Sequence, residues 1–114
     1  MKVLIVDDSP EMRSILSHFV RPICQDIYEC SDGIYALECY QKYEPDWVLM
    51  DWQMKEMNGI TASEQILEKY PNAHICMVSS FDDIDLKEEA IKVGVTDFVR
   101  KDDLSGLRQI LKRK

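Results

Sequence analysis

Acidic, hydroxyl and basic side chains follow short apolar runs at four places in this 114-residue sequence. Asp7 and Asp8 follow the first run, Asp51 the third, Ser79 the fourth and Lys101 the fifth. Carboxylates that share one crevice repel each other unless a cation or shared protons hold them there. A set of oxygen ligands favours a hard ion such as Mg²⁺. If these aspartates lie together, they predict a magnesium site.

The lysine and the serine extend this chemistry. Lys101 adds a fixed positive charge, and Ser79 adds a hydroxyl donor. A carboxylate can attack phosphorus while a metal ion and a lysine neutralise the phosphoryl oxygens. Each of these residues alone is more often a helix cap, a turn former or a surface group. Their joint placement at strand ends predicts phosphoryl transfer to a carboxylate.

Five apolar runs must position these residues, and they alternate with segments of helical periodicity. The first, third and fourth runs are continuously apolar, as in strands buried on both faces, whereas Glu29 marks the second as an edge strand. The order predicts an α/β fold, (βα)5, with a doubly wound parallel sheet. If the strand order is 2-1-3-4-5, the first and third strands are neighbours and the aspartates converge. The runs are residues 3–6, 27–30, 47–50, 75–78 and 95–99.

The segments between the runs carry apolar stripes at helical spacing. Ser9 and Pro10 predict the cap and first residue of the first helix, and Gly94 predicts the end of the fourth. The predicted core-facing residues are Met12, Ile15, Leu16, Phe19 and Val20; Ala36, Leu37, Tyr40 and Tyr43; Ala62, Ile66, Leu67 and Tyr70; Leu86, Ala90, Ile91 and Val93; and Leu104, Leu107, Ile110 and Leu111.

Composition excludes several classes of protein. The chain has 21 acidic and 14 basic residues and a net charge of −7, which argues against direct nucleic-acid binding. No apolar run approaches the roughly 20 residues of a membrane span, and the apolar start is too short for a signal peptide. The four cysteines form no C-x-x-C pair, which argues against a zinc site. We expect free, mostly buried thiols and a cytoplasmic protein.

The motifs together resemble the receiver domain of two-component response regulators, in particular the chemotaxis-regulator type, over essentially the whole chain. Residues 3–8 resemble the first strand and acidic pair of that family, and residues 51–59 resemble its phosphorylation-site loop. Ser79, followed by a small residue, matches the hydroxyl position. Residues 94–101 resemble the fifth-strand motif, which ends in Lys101. The resemblance implies a single receiver domain over residues 1–114 with a flavodoxin-like fold.

The resemblance also implies a phosphoacceptor and a metal site. Asp51 would accept the phosphoryl group. Asp8 and Asp51 would ligate Mg²⁺ through their side chains, and Gln53 would do so through its backbone carbonyl. Asp7 would act through a bound water.

Further residues would bind the phosphoryl group or control access to it. Ser79 would donate a hydrogen bond to it, Lys101 would pair with it, and Phe98 would be the aromatic residue that reports the switch. Gln53 and Phe81 would shape the approach of water. Because Phe81 is apolar and orients no water, we expect slow self-dephosphorylation.

The partners implied by the resemblance are a sensor histidine kinase or phosphotransfer protein as donor, and a downstream output domain or protein. A homodimer would form through the fourth helix, fifth strand and fifth helix. Such a protein is a switch rather than an enzyme, although it assists its own phosphotransfer and dephosphorylation. The chain would be either a stand-alone regulator or part of a longer one.

Two residues depart from the family pattern. Lys55 and Asp102 each stand where the family usually has proline. Lys55 adds a positive charge and leaves its loop more flexible. Without proline, a cis bond before Asp102 would cost about 2.5–4 kcal/mol, so we predict a trans bond. Asp102 or Asp103 would then cap the last helix ahead of Leu104.

Three other interpretations of the sequence make different demands on these residues. A flavin-binding module would need a Ser-, Thr- and Gly-rich loop after the first strand, where residues 7–10 are acidic. A phosphatase of the haloacid dehalogenase type would need Asp-x-Asp-x-Thr, and residues 51–53 lack its second acid. A degenerate receiver that binds proteins without phosphorylation is the remaining alternative.

Overall fold

The protein is described by a computed structural model for residues 1–80 and 84–113. Within these ranges a sheet of five parallel strands has the order β2-β1-β3-β4-β5, which confirms the predicted fold and places β2 at an edge. The strands are β1 (Lys2–Val6), β2 (Asp26–Cys30), β3 (Trp47–Asp51), β4 (Ile75–Ser79) and β5 (Asp97–Arg100).

The helices that cover this sheet begin and end largely where sequence signals predict. The Ser9 hydroxyl accepts a hydrogen bond of 3.1 Å from the Met12 N–H, and Pro10 is the first helical residue. Gly94, after the fourth helix, has φ 108°, a conformation that favours glycine. In the described ranges the helices are α1 (Pro10–Val20), α2 (Ala36–Tyr43), α3 (Gly59–Lys69), α4 (Ile84–Val93) and α5 (Leu107–Lys112), with a 3-10 helix (Gly33–Tyr35) ahead of α2.

Both faces of the sheet are covered, which accounts for the continuously apolar strands. Successive side chains of β1 alternate between two cores, because strand side chains alternate between faces. Helices α1 and α5 cover one face, and α2, α3 and α4 cover the other. The first core contains Val3, Ile5, Leu16, Val20, Leu49, Leu107 and Leu111, and the second contains Leu4, Val6, Ala36, Met50, Ala62, Ile66 and Ala90.

Two predicted core residues are exposed instead. Ile15 on α1 is 53% exposed and Ile91 on α4 is 57% exposed. Their neighbours Leu16 and Ala90 are buried against the sheet. Each of these two residues lies at the margin of the apolar stripe of its helix. Because a helix contacts the sheet along a line narrower than this stripe, residues at the margin stay in contact with solvent.

The fifth β–α unit differs most from the prediction. Strand β5 begins at Asp97 rather than at residue 95, and α5 begins at Leu107, so Leu104 lies before the helix. The predicted cap is wrong, since Gly106 is the N-cap and makes no side-chain cap hydrogen bond. Asp103 instead accepts hydrogen bonds from the backbone and hydroxyl of Ser105, which form a local turn. The bond before Asp102 is trans, as predicted.

The expectations for the cysteines are also confirmed. Cys24, Cys30 and Cys76 are buried, Cys39 is half-buried, and all four are free. Burial raises the pKa values of the Cys30 and Cys76 thiols to about 12, which keeps them protonated at neutral pH. In the described part of the chain, none of the helices has the length and apolar character needed to cross a membrane.

Candidate functional site

Three carboxylates meet at the carboxyl edge of the sheet, as the strand order requires. Strands β1 and β3 are neighbours, with Val6 opposite Met50. The residues that come next, Asp7 and Asp51, are buried, and Asp8 is exposed. One carboxylate oxygen from each of the three residues lies within 4.8 Å of the others. The predicted acidic cluster is therefore present.

The backbone around Asp7 is tightly held. The Asp7 N–H donates to the Cys30 carbonyl at 3.1 Å, and the Asp7 Oδ1 atom accepts from the Ser9 N–H at 2.9 Å. The Arg13 guanidinium donates to the Asp7 carbonyl at 2.7 Å and also pairs with Glu29 of the edge strand at 2.9 Å. These contacts fix the first acidic residue before any ligand binds.

Lys101 bridges the two buried carboxylates. Its Nζ atom lies 3.0 Å from Asp51 Oδ1 and 3.1 Å from Asp7 Oδ2. The Lys101 N–H donates to the carbonyl of Ser79 at 2.9 Å, which continues the β4–β5 pairing by one residue. The trans backbone therefore delivers the ammonium group to Asp51, as the sequence predicts.

Burial and neighbouring charges shift the pKa values of Asp51 and Lys101. Burial is the largest cause that raises the pKa of Asp51, followed by the negative charge of Asp7, and Lys101 only partly offsets them, so this pKa is about 6. Burial alone would lower the pKa of Lys101, but its contacts with Asp51 and Asp7 outweigh that effect and raise it. Near neutral pH the site therefore pairs an ammonium group with a carboxylate that remains mostly ionised.

The donor set fits a hard divalent cation. Asp7 Oδ2 is buried and accepts no hydrogen bond of good geometry within the described residues, although the Lys101 charge lies 3.1 Å away. A metal-bound water would satisfy that oxygen. Asp8 leaves the cluster open to solvent, and carboxylate oxygens and waters are the usual ligands of Mg²⁺.

The loop after Asp51, residues 52–58, leads directly into α3. Gln53 and Lys55 are exposed, and Trp52, the residue after Asp51, is half-buried against the second core. The Gly59 N–H donates to the Trp52 carbonyl at 2.7 Å, and a Cβ atom at position 59 would lie 2.0 Å from the Asp51 carbonyl oxygen. The backbone can close this tightly only because residue 59 is glycine.

Sequence analysis missed a buried carboxylate that holds the same loop. Asp32, which is 5% exposed, accepts hydrogen bonds from the N–H groups of Ile34, Glu56 and Met57 at 3.0, 2.9 and 3.1 Å. Burial alone would raise its pKa, but these backbone donors lower it. The signal available in the sequence was an Asp-Gly pair after a strand, which indicates only a turn.

The hydroxyl and aromatic positions lie on neighbouring strands. Ser79 is the last residue of β4 and is buried beside β3, one residue beyond the Val78 that pairs with Asp51. Phe98 of β5 is half-buried, and Lys87 of α4 holds its Nζ atom 5.9 Å from the ring centroid. A cavity of about 50 Å³ lies between Ser79 and Phe98. Phe81, the predicted access residue, lies outside the described residues.

Residues 3–112 match the response regulator receiver domain family. The chain belongs to this family, as the parallel fold and the acidic cluster with its lysine indicate. It is thus a receiver domain of two-component signalling, and receivers generally use Mg²⁺.

The relatives point to the chemotaxis type within that family. The chemotaxis protein CheY of Thermotoga maritima is 40% identical over 101 residues, which cover 88% of this chain and 84% of that protein. CheY of Halobacterium salinarum is 35% identical over 100 residues, which cover 88% and 83%. The structure of Vibrio cholerae CheY4 superposes with a TM-score of 0.90 at 29% identity, over 98% of this chain and 96% of that one.

Proposed function

We propose that this receiver is a phosphorylation-dependent switch whose phosphoacceptor is Asp51. The donor is the phosphohistidine of a sensor kinase or phosphotransfer protein. The observation that carries the proposal is the contact of 3.0 Å between Lys101 Nζ and Asp51 Oδ1, made beside the carboxylates of Asp7 and Asp8. A lysine placed there neutralises the charge that a phosphoryl group brings.

The transfer requires Asp51 as a carboxylate. One of its oxygens attacks phosphorus, the P–N bond to the donor histidine breaks, and the imidazole leaves with its electron pair and takes up a proton. Asp8, Asp51 and the Gln53 carbonyl would hold Mg²⁺, with Asp7 acting through a water, and the bound ion would neutralise phosphoryl oxygens. Burial of Asp51 limits competing contact with solvent.

The switch follows from the charge added at Asp51. The phosphoryl oxygens offer acceptors for the Ser79 hydroxyl and for Lys101, which must release part of its contact with Asp7. A movement of Ser79 toward them enlarges the cavity next to Phe98, so that the ring position is coupled to the phosphorylation state. The readout for a downstream protein or output domain is then the surface formed by α4, β5 and α5.

Acetyl phosphate with Mg²⁺ tests the phosphoacceptor directly. We expect mass spectrometry to find one added phosphoryl group on the wild type and none on Asp51→Asn. The exposed Asp26→Asn variant, at the opposite end of the sheet, controls for loss of a carboxylate and should be labelled like the wild type. Label that persists in Asp51→Asn would overturn the assignment. An unlabelled wild type would favour the degenerate receiver.

The same α4–β5–α5 surface is proposed to form the homodimer. Ile91 of α4 is 57% exposed, and the half-buried Phe98 lies at this face beside Lys87. Sedimentation analysis with and without acetyl phosphate should show association that Ile91→Glu abolishes, whereas Ile15→Glu on the opposite side of the sheet should not change it. A monomer under both conditions would exclude the dimer.

A further inference from the structure

The carboxylate of Asp32 connects two loops at the site edge of the sheet. Its Oδ1 atom accepts from the Ile34 N–H within its own loop and from the Met57 N–H in the loop after β3. Its Oδ2 atom accepts from the Glu56 N–H. Two of these three N–H donors are 24 and 25 residues away along the chain, so most of the hydrogen bonds to this carboxylate come from the neighbouring loop.

The two loops also pack closely where Asp32 lies. A Cβ atom added at Gly33 would lie 2.6 Å from the Met57 carbonyl oxygen and 3.1 Å from the Met54 side chain. Nothing larger than glycine fits there without displacement. The backbone of residues 54–57 is thus seated against Gly33 and fastened by Asp32.

The fastened loop has no proline to stiffen it, since residue 55 is lysine. The exposed Gln53 lies near the start of this loop. The loop ends at Gly59, which packs closely against the backbone carbonyl of Asp51. Hydrogen bonds to a buried carboxylate are charge-assisted and strong. In this chain they restrain the middle of the loop, whereas the Gly59–Trp52 hydrogen bond closes its ends.

We propose that Asp32 is a positioning residue for the magnesium site, because it holds residues 52–58 so that the Gln53 carbonyl is presented to the ion. This inference rests on the proposed function above. Asp32 would contact neither the ion nor the phosphoryl group. Because Asp32 already holds the loop, the loop loses less conformational entropy when the Gln53 carbonyl becomes a ligand. Asp32 therefore increases the affinity for Mg²⁺.

Titration of Mg²⁺, followed by Trp52 fluorescence, tests the proposal. In Asp32→Asn the side-chain oxygen can still accept from the Ile34 and Met57 N–H groups. The amide NH₂ group then faces the Glu56 N–H, and two donors cannot form a hydrogen bond with each other. We expect the half-saturating Mg²⁺ concentration to rise by about tenfold. Amide hydrogen exchange at Glu56 and Met57 should quicken, and phosphorylation at saturating Mg²⁺ should persist. Trp52→Phe verifies the source of the signal.

Control variants separate positioning from charge and from stability. Asp103→Asn removes another aspartate that accepts a backbone N–H in a loop, and should leave the Mg²⁺ midpoint unchanged. Asp32→Glu keeps the charge but not the geometry of the carboxylate, so it should bind Mg²⁺ as weakly as Asp32→Asn does. If Asp32→Asn does not fold, Asp32→Ser keeps a cap for the Ile34 N–H and serves instead.

The outcomes distinguish the two proposals. A wild type that shows no Mg²⁺ response would overturn the proposed function. A wild type that responds, with Asp32→Asn equal to it, would overturn the role of Asp32. Wild-type affinity in Asp32→Glu would show that charge alone matters, which also overturns the positioning role.

Discussion

Among the described residues of the site, Lys101 carries the positive charge that faces the buried carboxylates. Lys101 contacts both Asp51 and Asp7 through one ammonium group, while Asp8 adds a third negative charge that remains exposed. Two buried carboxylates with one cation leave the site short of positive charge. Burial and then this shortage raise the pKa of Asp51, and the shortage favours the entry of a divalent ion.

Replacing Asp51 should stabilise the metal-free protein in a pH-dependent way. The folded-state pKa of Asp51, about 6, exceeds the ordinary value of 3.8, so folding takes up a proton between these values and stability falls as pH rises through them. Asp51→Asn removes this penalty. We expect a gain of about 1–3 kcal/mol in the free energy of unfolding at about pH 7.

The gain should shrink as the pH is lowered toward about 4, where the wild-type carboxyl is protonated in the folded state. Urea unfolding in a chelator at both pH values measures this, with Asp26→Asn as the control. A gain of equal size at both pH values would show that ionisation of Asp51 is not its cause.

Loss of the Lys101 ammonium should separate labelling from signalling. Lys101→Ala keeps the carboxylates, so acetyl phosphate should still label Asp51, although more slowly. The response of the α4–β5–α5 surface should be lost, because the phosphoryl group no longer has the Lys101 ammonium as a partner. Trp52 fluorescence and amide exchange around Phe98, before and after labelling, would detect this. A full conformational response in the variant would contradict the role.

The lifetime of the phosphoryl group is a prediction from sequence, since Phe81 lies outside the described residues. An apolar residue there orients no water, whereas a carboxylate can act as a base for one. Phe81→Glu should speed the decay of phosphorylated Asp51 by about tenfold. Phe81→Leu is the matched apolar control. Equal decay rates for the Glu and Leu variants would show that residue 81 does not govern access.

Elements of the fold are joined at the site by close backbone approaches. Strand β3 and helix α3 meet where Gly59 lies against the carbonyl of Asp51, and the β2–α2 connection meets the same loop through Asp32. The β5–α5 connection is packed less closely. Helix α5 begins only at Leu107, and a Cβ atom added at Gly106 would have no other atom within 4 Å.

Alanine at these two glycines should have opposite effects. Gly59→Ala places a Cβ atom 2.0 Å from the Asp51 carbonyl oxygen, so we expect a loss of about 2–3 kcal/mol in the free energy of unfolding and slower labelling of Asp51. Gly106→Ala fills open space at an ordinary φ and should be neutral or stabilise by up to about 1 kcal/mol. Chemical denaturation compares them, and equal stability would contradict the packing argument.

The whole molecule carries a net charge of −7, part of which is concentrated at one edge of its sheet. A bound divalent cation relieves repulsion there and must stabilise the folded state, since the unfolded chain has no such site. Stability and metal affinity are therefore linked throughout the molecule.

Mg²⁺ should raise the Tm of the wild type. At ten times its dissociation constant the gain is about 1.4 kcal/mol, or roughly 5 °C for a domain of this size. Asp8→Asn should lose most of the shift. Sodium chloride at matched ionic strength controls for screening of the net charge. An equal shift in Asp8→Asn, or with sodium alone, would argue against a specific site.

Local pattern predicted the elements of this protein and the residues of its acidic cluster. Apolar runs and helical stripes reflect spacings of two to four residues, and polar residues at strand ends fall at one edge of any parallel sheet. Asp7, Asp8, Asp51 and Lys101 were therefore predictable, and the structure brings them together.

Tertiary contacts decided what local pattern leaves open. Ile15 and Ile91 have the spacing of core residues, but the line of contact between helix and sheet excludes them. The start of α5 depends on a turn that Asp103 forms with Ser105. The hydrogen bonds of Asp32 with the loop after β3 come from donors more than 20 residues away, which meet it only because β2, β1 and β3 lie side by side. A carboxylate's partners across a sheet are set by packing, and no local spacing encodes them.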